Sequence, residues 1–122
     1  MFNITDVEYG WLTLHISDFS FVCSYLTDVK YELEKILHLR DDIYSDVCRL
    51  CFDGEGPELF LTCFVEEYGQ ERLHIMWEEY DRYGNNKMRQ FIMPYELFCD
   101  EMKKWFENNE EYYHDNFGYE YD

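Results

Sequence analysis

A chain of 122 residues with a formal net charge of −17 suits one domain spanning 1–122, long enough to hold a core without metal or disulfide staples. That charge repels free nucleic acid and anionic membrane surfaces and attracts basic partners. Apolar residues make up 47% and aromatics 20%, which excludes a disordered acidic chain, because so much apolar surface demands burial. The acidity itself has two readings, a solubilising surface or a partner-binding one.

Met1–Asp6 lacks the basic start and apolar run of a secretory leader. No stretch approaches the roughly 18–20 apolar residues of a bilayer span. Five cysteines, Cys23, Cys48, Cys51, Cys63 and Cys99, lie mostly within apolar runs, which predicts reduced thiols acting as small hydrophobes. The cytoplasm is the expected compartment.

In chain order, Val7–Ile16 alternates Trp11, Thr13 and His15 against Leu12, Leu14 and Ile16, the period of a half-buried strand. After a break at Ser17-Asp18, the spacing of Phe19, Phe21 and Cys23 predicts a second strand in a hairpin with the first. Thr27 or Asp28 offers a cap oxygen, and Val29, Leu33, Ile36 and Leu37 recur at helical spacing. A helix is expected from about Asp28 to Leu39, ending near Arg40, with Asp41–Asp46 a polar loop.

Cys48, Leu50 and Phe52 mark the next strand, closed by the turn Gly54-Glu55-Gly56-Pro57. Pairing Asp53 with Glu58 sets Phe52 opposite Leu59, Leu50 opposite Leu61 and Cys48 opposite Cys63, all on one face. The other face of Leu59–Val65 carries Phe60, Thr62 and Phe64, so this strand is central and needs cover on both sides. Helices would cover one side; the N-terminal hairpin, the C-terminal tail or a second subunit would cover the other. Leu73–Trp77 and Met88–Met93 follow, after turns at Tyr68–Glu71 and Asp81–Asn86, and complete a meander.

Pro94 suits a first helical turn, and Leu97, Phe98, Met102, Trp105, Phe106, Tyr112 and Tyr113 predict a helix from about Pro94 to Tyr113. Acids at its C-terminal end oppose the helix dipole, so fraying is expected there unless Phe117, Tyr119 and Tyr121 dock on the body. The expected fold is α+β, order ββαββββα, a largely antiparallel sheet with two helices on one face. Its expected core is Leu12, Leu14, Phe19, Phe21, Leu33, Ile36, Leu37, Leu50, Phe52, Leu61, Cys63, Ile75, Trp77, Ile92, Phe98, Met102 and Trp105.

Motifs with chemistry are sparse. Cys48-Arg49-Leu50-Cys51 has CxxC spacing, but on a strand its thiols point to opposite faces, and no second pair supplies the remaining ligands of a zinc site. His15, His38, His74 and His114 are scattered, and no nucleophile elbow, P-loop or dinucleotide fingerprint occurs. Glu66-Glu67, Glu78-Glu79 and Asp81 offer carboxylates for an acid–base pair, yet 27 acids in the chain produce adjacent pairs without catalysis. Trp11 and Trp77 serve either a stacking platform or the core. The expectation is a protein that is not an enzyme, with no catalytic residue, cofactor or metal.

Gly10-Trp11-Leu12, the run Ser24-Tyr25-Leu26-Thr27-Asp28 before an amphipathic helix, an acidic meander and an aromatic C-terminal helix form a recognisable order. It resembles that of small uncharacterised acidic bacterial α+β proteins, some similar to the immunity proteins that neutralise secreted or contact-delivered toxins. The resemblance implies protein binding and no catalytic residue.

The C-terminal stretch interleaves acids with aromatics and has no Lys or Arg from Glu107 onward. Glu107, Glu110, Glu111, Tyr112, Tyr113, Asp115, Tyr119 and Tyr121 are therefore the expected partner-binding residues, facing a basic protein such as a nuclease-type toxin. The alternatives are a DNA mimic or regulatory protein of phage or mobile-element origin, a structural subunit such as a homodimer, and, last, an acidic-residue hydrolase.

Overall fold

The computed structural model describes residues 1–40, 47–66 and 71–117. It is an α+β structure with two antiparallel sheets. β1 (Phe2–Glu8), β2 (Trp11–Ile16) and β3 (Phe19–Ser24) form one meander, and α1 (Val29–Leu37) follows. β4 (Val47–Asp53), β5 (Glu58–Val65), β6 (Arg72–Tyr80) and β7 (Asn86–Pro94) form the second, and α2 (Tyr95–Asn108) and α3 (Glu110–Asn116) close the chain.

Each strand turns one face inward. Leu12, Leu14 and Ile16 of β2, Leu50 and Phe52 of β4, Leu59, Leu61 and Cys63 of β5, and Leu73, Ile75 and Trp77 of β6 share one core with Leu33 and Ile36 of α1 and Phe98 and Met102 of α2. Trp77 is fully buried, with the rings of Phe19 and Phe91 edge-on to it at 5.5 and 6.1 Å. The two sheets meet where Gly54 approaches β3. A Cβ there would stand 3.0 Å from both the Phe21 ring and the Val22 carbonyl oxygen, tighter than an ordinary contact, so a side chain at this position would push its neighbours apart.

The helices also protect sheet edges, whose unpaired backbone groups otherwise invite other chains. Asp28 caps α1 by accepting from the Tyr31 N–H. Along the free side of β4, the Asp53 N–H donates to Thr27 Oγ1 at 2.7 Å and the Cys51 N–H to Glu32 Oε1 at 2.8 Å, while Lys35 Nζ donates to the Arg49 carbonyl. Against β1, Trp105 Nε1 donates to the Ile4 carbonyl and Glu101 accepts from the Phe2 N–H. The Tyr95 hydroxyl donates to the Ile36 carbonyl at 2.7 Å, tying the start of α2 to the end of α1.

The architecture adds a strand and a helix to the expected order. Val7–Ile16 is not one strand: Phe2–Glu8 is a strand of its own, and Tyr9-Gly10 is a tight turn into β2 with positive φ at both positions, 53° and 80°. That geometry matches the twist of the flanking strands and suits glycine, but tyrosine in first place carries no turn signature. The expected helix from Pro94 to Tyr113 is broken at Asn109. Its side-chain amide donates to the Trp105 carbonyl at 2.7 Å, and its φ of −128° leaves the helical region. A short amide that bonds the preceding turn competes with helix continuation.

One core assignment is corrected. Ile92 is 52% exposed, because β6 pairs Ile75 with Phe91 and Leu73 with Met93, turning those two inward and Ile92 out beside His74. Phe19, Leu37 and Trp105 lie partly buried against the core. The β4–β5 register matches the expected one from Asp53–Glu58 to Cys48–Cys63. The expected loop at Asp41–Asp46, most of the turn at Tyr68–Glu71, and Tyr119 and Tyr121 lie outside the described residues.

Candidate partner-binding surface

The break at Asn109 changes the electrostatics of the C-terminal stretch. In one long helix Glu110 and Glu111 would face a negative dipole end. In α3 they occupy the first turn, where carboxylates are favoured. Glu107 keeps the unfavourable position, in a last turn of α2 that contains no basic residue.

α3 is fastened to the body. Phe117 is 3% exposed, and its backbone N–H bonds the Tyr113 carbonyl. Tyr113 is half-buried among the rings of Trp105, Phe106 and Phe117, and its hydroxyl accepts from the Lys30 N–H at 3.2 Å. Burial raises its hydroxyl pKa above the ordinary tyrosine value. The Gly10 N–H donates to the Asn116 carbonyl at 2.9 Å, so the β1–β2 turn holds the C-terminal end of the helix.

What faces outward is acidic and aromatic. Glu107, Glu110, Glu111 and Asp115 are exposed, and Tyr112 is 45% exposed beside them. Glu111 and Asp115 stand one helical turn apart. Of the expected binding residues, five are therefore exposed, Glu111, Tyr112 and Asp115 on the side of α3 away from Phe117 and Glu107 and Glu110 toward α1, while Tyr113 points inward as packing. The rim continues onto a surface cavity of about 210 Å³ between α1 and α2. Leu33, Leu37, Met102 and Phe106 line it, with Lys30 and Lys103 as well as Glu34, Glu107 and Glu110. Sequence reasoning assigned those apolar residues to helices without showing that α1 brings Glu34 to the same rim; only the packing of the two helices does that.

A second surface lies on the outer side of the larger sheet. The cross-strand row Val47–Phe64–His74–Ile92 holds three exposed apolar side chains, and His74 stacks on Phe64 with ring centroids 4.4 Å apart. Phe60 lies half-buried on the same side beneath the Arg49 guanidinium. The sequence predicts cover for this face from the N-terminal hairpin, the C-terminal tail or a second subunit, and among the described residues neither the N-terminal strands nor a helix buries Val47, Phe64 or Ile92. Trp11 is half-buried on the outer side of β2, and Trp77 belongs to the core.

The described carboxylates considered for acid–base chemistry are held separately. Glu66 accepts from Arg72 and pairs with His74, and the His74 contact together with Arg72 draws its carboxyl below the usual range. Glu79 accepts from Trp77 Nε1, and Glu78 from the Tyr80 hydroxyl. Asp81 accepts from the Asn85 side chain and from the Tyr83 and Asn85 N–H groups, which lower its pKa and close the β6–β7 turn. Cys51 is exposed on the outer side of β4 and Cys48 turns inward, and the described residues contain no cluster of three metal-ligating groups. No described helix is long and apolar enough to cross a membrane. Comparison with protein-family models, with curated proteins and with solved structures returns no match.

Proposed function

We propose that this chain is a non-catalytic acidic binding protein whose α2–α3 face blocks a basic protein, most directly the nucleic-acid cleft of a nuclease-type toxin. The observation that carries the reading is the set of exposed side chains Glu107, at the end of α2, and Glu110, Glu111, Tyr112 and Asp115, on the α3 helix anchored by Phe117 and Tyr113. Carboxylates repeated along a helix face occupy positions where a nuclease expects phosphates. An exposed tyrosine adds contact area at low entropic cost. Anchoring matters because a face already ordered before association spends less binding energy on ordering.

Association driven this way is accelerated by long-range attraction and slowed by salt, with screening over about 8–10 Å at 0.1–0.15 M. The test is affinity capture from native cell lysate at low and high salt, using the intact protein and a variant with Glu107→Gln, Glu110→Gln, Glu111→Gln and Asp115→Asn. A basic protein retained at low salt by the intact chain, and lost by the variant, supports the reading. Equal retention by both, or no basic protein retained, defeats it. Deleting residues 110–122 would test it poorly, because the deletion also removes Tyr113 and Phe117 from the packing.

A further inference from the structure

We propose that Cys48 and Cys63 form a peroxide-reactive thiol pair, in which Cys48 attacks the oxidant and Cys63 resolves it to a disulfide between β4 and β5. The inference is independent of the binding role above. The two residues are direct cross-strand partners, with both side chains on the inner face that Leu50 and Leu61 share. Alternation from the Gly54–Pro57 backbone bond makes theirs a hydrogen-bonded pair of the ladder, as do the Cys51 and Asp53 N–H groups, which point away from β5. Such pairs have Cα atoms about 5.5 Å apart, inside the range a disulfide spans.

The two thiols differ in access and environment. Cys63 is completely buried, whereas Cys48 is half-buried and opens on a surface cavity of about 360 Å³ that Lys35, His38 and Val47 also line. Interaction between the two adjacent thiols draws the Cys48 thiol pKa down and raises that of Cys63, with burial opposing the first shift and adding to the second. The Lys35 ammonium also favours a Cys48 thiolate, and Glu32, paired with Lys35 at 2.8 Å, works against it. The reactive form therefore belongs to the accessible partner, with the proton held by the buried one.

The chemistry balances within the pair. The Cys48 thiolate attacks one oxygen of hydrogen peroxide; an S–O bond forms, the O–O bond breaks, and hydroxide leaves to become water. Cys63 Sγ then attacks the Cys48 sulfur; the S–S bond forms, the S–O bond breaks, and the oxygen departs as water with the Cys63 proton. Two electrons pass from the thiols to the peroxide, and a dithiol reductant reverses the change. Cys23 is fully buried, with its thiol pKa raised by burial, and Cys51 is exposed on the opposite face without a neighbouring cysteine across the strand.

The test treats reduced, desalted, full-length protein with one equivalent of hydrogen peroxide, alkylates the remaining thiols, and maps peptides without reduction. The expected result is a monomer lighter by two hydrogen atoms, carrying a Cys48–Cys63 cross-linked peptide that dithiothreitol releases. Cys48→Ser should abolish that cross-link, and Cys63→Ser should leave a Cys48 sulfenic acid that dimedone traps. Oxidation that goes first to Cys51, with Cys48 and Cys63 still alkylated in the unmutated protein, overturns the proposal whether or not either variant folds.

Discussion

Replacing Phe117 with alanine tests whether the acidic helix is held by the body or merely lies beside it. Phe117 is 3% exposed and packs on the Tyr113 ring with centroids 5.2 Å apart. A phenylalanine buries about 200 Å², which at about 25 cal/mol per Å² is about 5 kcal/mol. Truncation keeps Cβ, so Phe117→Ala should cost about 3–4 kcal/mol, within the range for buried aromatic truncations. For a domain of this size that lowers Tm by about 10 °C. If α3 instead releases on its own, the global loss is limited to the free energy of docking it, and the rest appears as local opening. Amide exchange separates the two outcomes. The Gly10 N–H is bonded to the Asn116 carbonyl and the Lys30 N–H to the Tyr113 hydroxyl, so both should lose protection in the variant. A Tm within about 2 °C of the parent, together with unchanged protection at Gly10 and Lys30, would refute the reasoning.

Three further expectations follow from individual sites. Phe91→Ala, at a side chain 7% exposed, should cost about 3–4 kcal/mol in denaturant unfolding, whereas Ile92→Ala, at 52%, should cost under about 0.5 kcal/mol; the reverse order would mean the β6–β7 register is wrong. Gly54→Ala should destabilise by about 1–3 kcal/mol, since the new methyl meets the Phe21 ring and the Val22 carbonyl at the joint between the sheets. Asp81 has a folded pKa below its unfolded value, mainly through the Asn85 side chain, so its contribution is present above about pH 4. That contribution is lost as pH falls through the lowered pKa, and the Tyr83 and Asn85 amide resonances should titrate with it; amides insensitive to acid would remove Asp81 from the turn.

The parts of this fold legible in the sequence were those where alternation and a turn agreed. The β4–β5 hairpin was readable because Gly54–Pro57 sets one loop, and only one register then puts Cys48, Leu50 and Phe52 with Leu59, Leu61 and Cys63. In contrast, Phe91-Ile92-Met93 is a continuous apolar run with no period of its own, so only pairing with Leu73 and Ile75 decides which members turn inward. Tyr9-Gly10 hid a turn because tyrosine is an uncommon residue at positive φ.

The acidic face was legible as composition but not as geometry. Glu107 to Asp115 could be read as a charge run, while the break at Asn109 that makes Glu110 and Glu111 first-turn residues depends on one side-chain hydrogen bond to Trp105. Tyr113 reads like Tyr112 in sequence. Its inward direction comes from helical phase relative to Phe117, four residues later, and from the Lys30 N–H waiting at its hydroxyl.

The measurement that bears most directly on the central proposal is the association rate between this protein and its captured basic partner, as a function of salt. The account predicts that the variant carrying Glu107→Gln, Glu110→Gln, Glu111→Gln and Asp115→Asn associates about tenfold or more slowly at low salt. It also predicts a flatter salt dependence and a melting temperature within about 5 °C of the parent, because all four side chains are exposed and the helix-dipole gain lost at Glu110 and Glu111 is small. An association rate and salt slope equal to those of the unmodified chain would place the binding surface elsewhere on the molecule and contradict the account.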